Sequence, residues 1–157
     1  MPGASNDEVD LTIKIKRISE LFLNTEQIKI ETELLNDRPA LVFADREQLS
    51  RVFINLIKNA IQSIPEEREG KIGIRLETIG SNVTISILDN GKGIPDELGD
   101  KLFQPNFTTK SSGMGMGLAI VKSIIENAGG TIHYTTALGK GTSFIINLPL
   151  HPGRDTS

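Results

Sequence analysis

Three groups of residues in this chain have types and spacing that suit chemistry as well as packing. The first is Asp89 in "NVTISILDNGKGI", which continues the alternation of Val83, Ile85 and Ile87 and so points its carboxylate to the apolar side of a strand end. A buried carboxylate needs donors. A lone Asp-Asn-Gly also makes an ordinary turn. Thr142 shifts the balance, because in "GTSFIINLP" it shares the parity of Phe144 and Ile146 and puts a hydroxyl on an inward face too. A carboxylate and a hydroxyl at the ends of apolar strands can read the edge of a flat base.

The second group is the stripe Arg51, Asn55, Asn59 and Gln62, spaced by four, four and three along a helix whose other side is apolar. Asparagine is a mediocre helix former, so two of them in a helix interior are either solvated positions or are placed for their carbonyl oxygens. An amide oxygen suits Mg²⁺, which often takes one or two protein ligands beside phosphates and water. The third group is Gly113, Gly115 and Gly117, alternating with Met114 and Met116 just before the apolar run "LAIVKSII". Glycines at a helix start can expose backbone N–H groups to phosphate; a flexible glycine-rich loop is the plainer reading. The spacing fits neither a dinucleotide fingerprint nor a P-loop.

These groups need elements to hold them. Leu11, Ile13 and Ile15 alternate as in a strand, yet Leu11, Ile15, Ile18 and Phe22 form a longer helical stripe, so a helix is expected between Val9 and Leu23. "QIKIETELL" and "ALVFA" read as strands, and Asp45 caps a helix that runs from Glu47 to Ile64 and stops at Pro65. "KIGIRLETI" and "NVTISILD" form a hairpin with Ile72, Ile74, Leu76, Val83, Ile85 and Ile87 inward. A helix from about Gly117 to Asn127 ends at Gly129-Gly130, and "TIHYTT" with "GTSFIINLPL" makes a second hairpin. The order implies a mixed, mostly antiparallel sheet with helices on one face and solvent on the other.

The 157 residues suit one domain with a real core, and 38% apolar with 24% charged residues is an ordinary globular composition rather than a disordered one. A net charge of −3 with both signs interspersed gives no basic field, so nucleic acid and membrane surfaces are demoted as partners. No run approaches a membrane span, and the absence of cysteine removes disulfides and thiolate metal sites, in keeping with the cytoplasm. Residues 1–7 are expected to be disordered or of cloning origin, 8–150 to be the domain, with a helix over 8–24, and 151–157 to be a frayed tail.

Together, "NLIKNAI" (Asn55 to Ile61), "DNGKGI" (Asp89 to Ile94), "LFQPNFTTK" (Leu102 to Lys110) and "GMGMGLAIVKSIIENAGG" (Gly113 to Gly130), followed by "GKGTSFIINLP", resemble the ordered boxes of sensor histidine kinase catalytic domains. The wider superfamily includes gyrase, the Hsp90 chaperones and the MutL repair proteins. The resemblance covers about Gln27 to Leu150. It implies an α+β fold, the two-layer α/β sandwich of the Bergerat type, in which the glycine-rich loop is an ATP lid. It implies that Asp89 accepts the adenine amino group with Gly91, Gly93, Ile94 and Thr142 beside it. Asn59 would bind Mg²⁺, with Asn55 near the phosphates. Thr109, Lys110, Gly113 and Met114, with Met116 and the amides of Gly115, Gly117 and Leu118, would surround the phosphate tail, and Phe103 and Phe107 would anchor the lid.

The chain departs from the pattern in two places. Asn106 stands between Pro105 and Phe107, and Gln62 replaces a lysine common in relatives, so more phosphate charge falls on Lys58 or Lys110. Position 55 separates the subfamilies. Hydrolytic members carry glutamate there as a general base, and asparagine cannot take a proton at neutral pH. The resemblance therefore implies phosphoryl transfer with Asn55 and Lys110 as the catalytic side chains, to a histidine on a dimerisation domain and then to a response regulator; a clamp-type ATPase of the same superfamily and a non-catalytic nucleotide-sensing module are the rival readings. A monomer is expected for the isolated domain, and a homodimer for the full-length kinase, which could be the cytoplasmic part of a membrane-anchored sensor. His133, of outward parity, and His151, in the tail, are expected to be plain surface residues.

Overall fold

The structure is a computed structural model describing residues 6–105 and 114–151, with Asp100, Met114 and Met116 described by backbone alone. Two aspartates set where helices begin. Asp10 ends strand β1 (Asn6–Asp10) and accepts the N–H groups of Thr12 and Ile13 at 2.9 and 3.4 Å, starting helix α1 (Leu11–Leu21). After β2 (Ile28–Leu35), Asp45 ends β3 (Leu41–Asp45) and accepts from Glu47 and Gln48, both at 3.0 Å, to start α2 (Arg46–Ser63). Pro65, which cannot continue the ladder, follows α2 as expected.

The start of the chain differs from expectation. Residues 6 and 7, expected to be disordered, and Val9, expected in a helix, belong to β1, which pairs antiparallel with β3 through Val9↔Val42. The helix expected over 8–24 is confined to Leu11–Leu21. Its buried residues Leu11, Ile15 and Ile18 are those of the helical stripe.

Among the described residues the main sheet has five strands in the order β2-β4-β5-β7-β6, where β4 is Gly70–Ile79, β5 Asn82–Asp89, β6 Thr131–Ala137 and β7 Gly141–Pro149. β2 runs parallel to β4, and the other neighbours are antiparallel. A short 3₁₀ turn (Asp96–Lys101) and helix α3 (Met114–Asn127) lie between β5 and β6. α3 begins three residues before the expected Gly117. It ends where the N–H groups of Gly129 and Gly130 return to Glu126 O and Ile125 O at 3.0 and 2.9 Å.

The helices form one layer: α2 packs on β4, β5 and α3, and α3 reaches β6. Inward residues Ile72, Ile74, Leu76, Val83, Ile85 and Ile87 are all at most 2% exposed, as the alternation requires. They meet Phe53, Leu56 and Ile57 of α2 and Leu118, Val121 and Ile125 of α3 in one buried cluster. Each such side chain contributes roughly 2 kcal/mol by leaving water. The opposite face carries exposed Arg75 and His133 and half-exposed Ser86 and Ser143. Among the described residues no helix is long and apolar enough to cross a membrane.

Candidate active site

Asp89 is the last residue of β5 and lies in register with Thr142 at the start of β7 and with Ile72 of β4, so the sheet ends in a carboxylate on its helix-covered face. Its Oδ1 accepts the Gly91 N–H at 2.8 Å and the Thr142 N–H at 3.3 Å. Burial pushes the Asp89 carboxyl up from its ordinary value; the Gly91 N–H, the Ser63 hydroxyl and the Thr142 N–H pull it back. The Ser63 proton, however, goes to the Ala60 carbonyl 2.8 Å away, the usual back-bond of a helix. Its help to Asp89 therefore requires rotation, and the two N–H groups are the firm donors.

The loop after Asp89 is laced in place. Asn90 Oδ1 accepts the Lys71 N–H at 2.8 Å, its Nδ2 donates to Glu69 O at 3.0 Å, and Arg68 donates to the carbonyls of Asn90 and, at 3.0 Å, Gly91. Gly93 has φ +80°, and a Cβ there would stand 2.6 Å from Ala137 O, so only glycine lets this loop lie against the β6–β7 turn. Gly141, at φ +143°, passes so close to the Asp89 carbonyl that a Cβ would collide with it. Ile94 is buried, and its N–H donates to Thr136 Oγ1 at 2.9 Å.

One face of α2 links this end to a second one. Asn55, Asn59 and Ser63 recur every four residues, and Ser63 reaches the Asp89 loop, where its carbonyl takes the Lys92 N–H at 3.0 Å. The eight-residue span is roughly 12 Å along the helix axis. Asn55 is half-buried, and a Cβ on Gly117 would lie 3.9 Å from its Nδ2, so the first turn of α3 borders it. Gly115 and Gly117 thus lie within that turn, and Leu118, wholly buried, seats it on the core. Early-turn N–H groups of a helix have no intrahelical acceptor and carry its positive dipole end.

Asn59 is not on a solvated face, as the polar stripe suggested. It is 8% exposed, and its Nδ2 is buried with no hydrogen-bond partner among the described residues. Such a group costs about 1–3 kcal/mol unless something binds it. Arg51, Lys58 and Gln62 are exposed. Phe103, half-buried, packs edge-on to Phe144 (6.4 Å, 90°) and tilted to Tyr134 (6.1 Å, 51°), with Lys122 Nζ 5.6 Å over its ring. Leu102 beside it is buried in the core.

The structure therefore brings together Asp89, Gly91, Gly93, Ile94 and Thr142 at one end and Asn55, Asn59, Gly115, Gly117 and Leu118 at the other. Phe107, Thr109, Lys110 and Gly113 lie outside the described residues, as do the side chains of Met114 and Met116. Sequence reasoning missed Ser63, Arg68, Thr136 and Gly141. Ser63 could have been found, since it extends the four-residue spacing of Asn55 and Asn59 by one step.

The comparisons with known proteins agree with this geometry. Residues 44–152 match the family described as histidine kinase-, DNA gyrase B- and HSP90-like ATPase. The chain is 38% identical over 146 residues to the sensor histidine kinase ZraS of Escherichia coli, covering 91% of this chain and 31% of that kinase. It thus spans about a third of the length of that curated relative. The catalytic domain of histidine kinase ThkA superposes with a TM-score of 0.80 at 36% identity, covering 93% of this chain and 96% of that one. ThkA in complex with the response regulator TrrA gives 0.77 at 33% identity, over 96% of this chain and 43% of that one. The carboxylate of Asp89 and the start of α3, linked by one face of α2 over roughly 12 Å, agree with these matches, and the chain belongs to the histidine kinase-, DNA gyrase B- and HSP90-like ATPase family, with the fold of a sensor histidine kinase catalytic domain.

Proposed function

We propose that this chain is the ATP- and Mg²⁺-binding catalytic domain of a sensor histidine kinase, which passes the γ-phosphoryl group of ATP to a histidine on a separate dimerisation domain. Asp89 Oδ1 is held by two N–H groups, and the carboxylate accepts the adenine amino group. The first turn of α3 and Asn55 face the phosphates, with Lys58, Thr109, Lys110, Gly113, Met114 and Met116 as further contacts. The γ-phosphorus loses its bond to the β–γ bridging oxygen and gains one to the histidine nitrogen. ADP leaves, and the histidine proton passes to an acidic neighbour on the acceptor domain.

The orphaned amide of Asn59 fits a hard cation. With the nitrogen and oxygen of this amide exchanged, its oxygen would hold Mg²⁺ with phosphate oxygens and water. The ion, when bound, neutralises phosphate charge during transfer.

Asn55 carries the preference for transfer over hydrolysis. It occupies the position bordering the α3 turn where a hydrolytic relative needs a base, and an amide cannot take a proton from water. The donor domain then depends on an acceptor supplied by another part of the kinase, with a response regulator receiving the phosphoryl group afterwards. In this reading the catalytic domain is the expected 8–150 extended by Asn6, Asp7 and His151, which pack with the small sheet, and the full-length protein is a homodimer working in the cytoplasm. Labelled ATP, Mg²⁺, the domain and a separately made dimerisation domain are the test. Label on the acceptor histidine only when both proteins are present is expected; rapid phosphate release without acceptor overturns the proposal.

A further inference from the structure

Thr136 of β6 makes three hydroxyl contacts at once. Its Oγ1 accepts the Ile94 N–H at 2.9 Å, lies 3.1 Å from Gly141 O and 2.9 Å from Thr142 Oγ1. A threonine hydroxyl has one proton and two lone pairs. A carbonyl only accepts, so the Thr136 proton belongs to Gly141 O. The Thr142 hydroxyl must then be the donor in the contact between the two threonines. That spends its only proton and leaves it nothing but lone pairs for a ligand.

Asp89 beside it is likewise an acceptor when ionised, with Oδ1 filled by Gly91 and Thr142 N–H groups. We propose that Thr136 is a specificity-determining residue: by taking the Thr142 proton it makes the rim at Asp89 and Thr142 acceptor-only, which suits the 6-amino group of adenine and repels the 6-oxo group of hypoxanthine or guanine. This rests on the reading of Asp89 as the adenine acceptor. At the substituent on C6 the polarity survives an intervening water, because a water donating to both acceptors turns its own lone pairs to that substituent. Thr136 lies behind Thr142 and acts through it, as a positioning residue.

The experiment is calorimetry of ATP and ITP, with Mg²⁺, on the wild type and on Thr136→Ser and Thr136→Val. The wild type is expected to favour ATP. Thr136→Ser keeps the hydroxyl and the discrimination. Thr136→Val frees the Thr142 proton to turn outward and lowers the ATP:ITP affinity ratio about tenfold, one hydrogen bond's worth of ~1.4 kcal/mol. Equal losses for both nucleotides in Thr136→Val would make Thr136 merely structural, sinking this inference and leaving the kinase proposal standing. A wild type that binds neither nucleotide, or both alike, would overturn the adenine assignment and this inference with it. Should Thr136→Val not fold, Thr142→Val decides: ATP must lose affinity while ITP holds, and a loss for ITP as large or larger overturns the role.

Discussion

At the scale of single residues, Asp89 trades stability for binding. Its carboxyl titrates above the ordinary 3.8 because burial disfavours the charge. The native state therefore holds this proton more tightly than the unfolded chain. Its stabilising share is fully present below 3.8 and is lost as pH rises through the raised folded value, so the ionised form costs stability at neutral pH. Asp89→Asn keeps an oxygen for the Gly91 and Thr142 N–H groups. Its apo melting temperature should match or exceed that of the wild type at pH 7, and the gap should close on acidification. ATP affinity should fall roughly thirtyfold, for a lost charged hydrogen bond of about 2 kcal/mol. In the wild type, ATP affinity should also drop as pH falls through the Asp89 titration, the opposite sign to stability. Asn59→Ala makes a parallel case. Removing a buried, unpartnered amide from a helix interior should raise apo stability by on the order of 1 kcal/mol while abolishing the Mg²⁺-dependent part of ATP affinity. A fall of several degrees in the melting temperature would mark Asn59 as structural.

At the scale of elements, α3 and the 3₁₀ turn are the parts whose state should change with nucleotide. Hydrogen exchange over Asp96–Lys101 and the first turn of α3 should slow when a non-hydrolysable ATP analogue binds, because orphan N–H groups there gain acceptors. Unchanged protection would count against a phosphate site at this turn. Both hairpins, the Asp45 cap and the inward parity of Asp89 and Thr142 were legible in the sequence, since alternation and capping are local signals; the Asp10 cap was not, because a helix was expected already from Val9. β1 was not. "NDEVD" has one apolar residue, and its pairing depends on β3, more than thirty residues away, which no local pattern encodes. The buried state of Asn59 was hidden for a similar reason: an asparagine in a polar stripe looks solvated until the tertiary packing around it is known. Thr136 looked like an ordinary strand residue because its partners come from two other segments, the loop at Ile94 and the start of β7.

For the whole molecule, the proposed dependence on an acceptor histidine of a separate domain sets the expected rate. Phosphoryl transfer depends on positioning and charge stabilisation, so the domain alone should hydrolyse ATP very slowly and show negligible autophosphorylation. Asn55→Glu should raise hydrolysis modestly by placing a base beside the α3 turn, measured as phosphate release. Turnover of several per second by the wild type without acceptor, an ordinary enzyme rate, would contradict the kinase proposal. His133 is exposed, as expected, but His151 is no part of a frayed tail. Its ring stacks on Phe43 at 5.2 Å, its Nε2 is 3.9 Å from Glu8 Oε2, and its N–H donates to Leu41 O at 2.7 Å. The two ends of the described fold are thereby stitched to the same small sheet, and their order along the chain becomes interchangeable with another. A short glycine-rich linker from His151 back to Asn6, with new ends opened between the exposed residues Glu66 and Glu67, should give a circular permutant that folds and binds ATP. In it α2 would be translated last instead of early, and equal melting temperatures for the two forms would show that this groove is written in spatial neighbours and not in the sequence of synthesis.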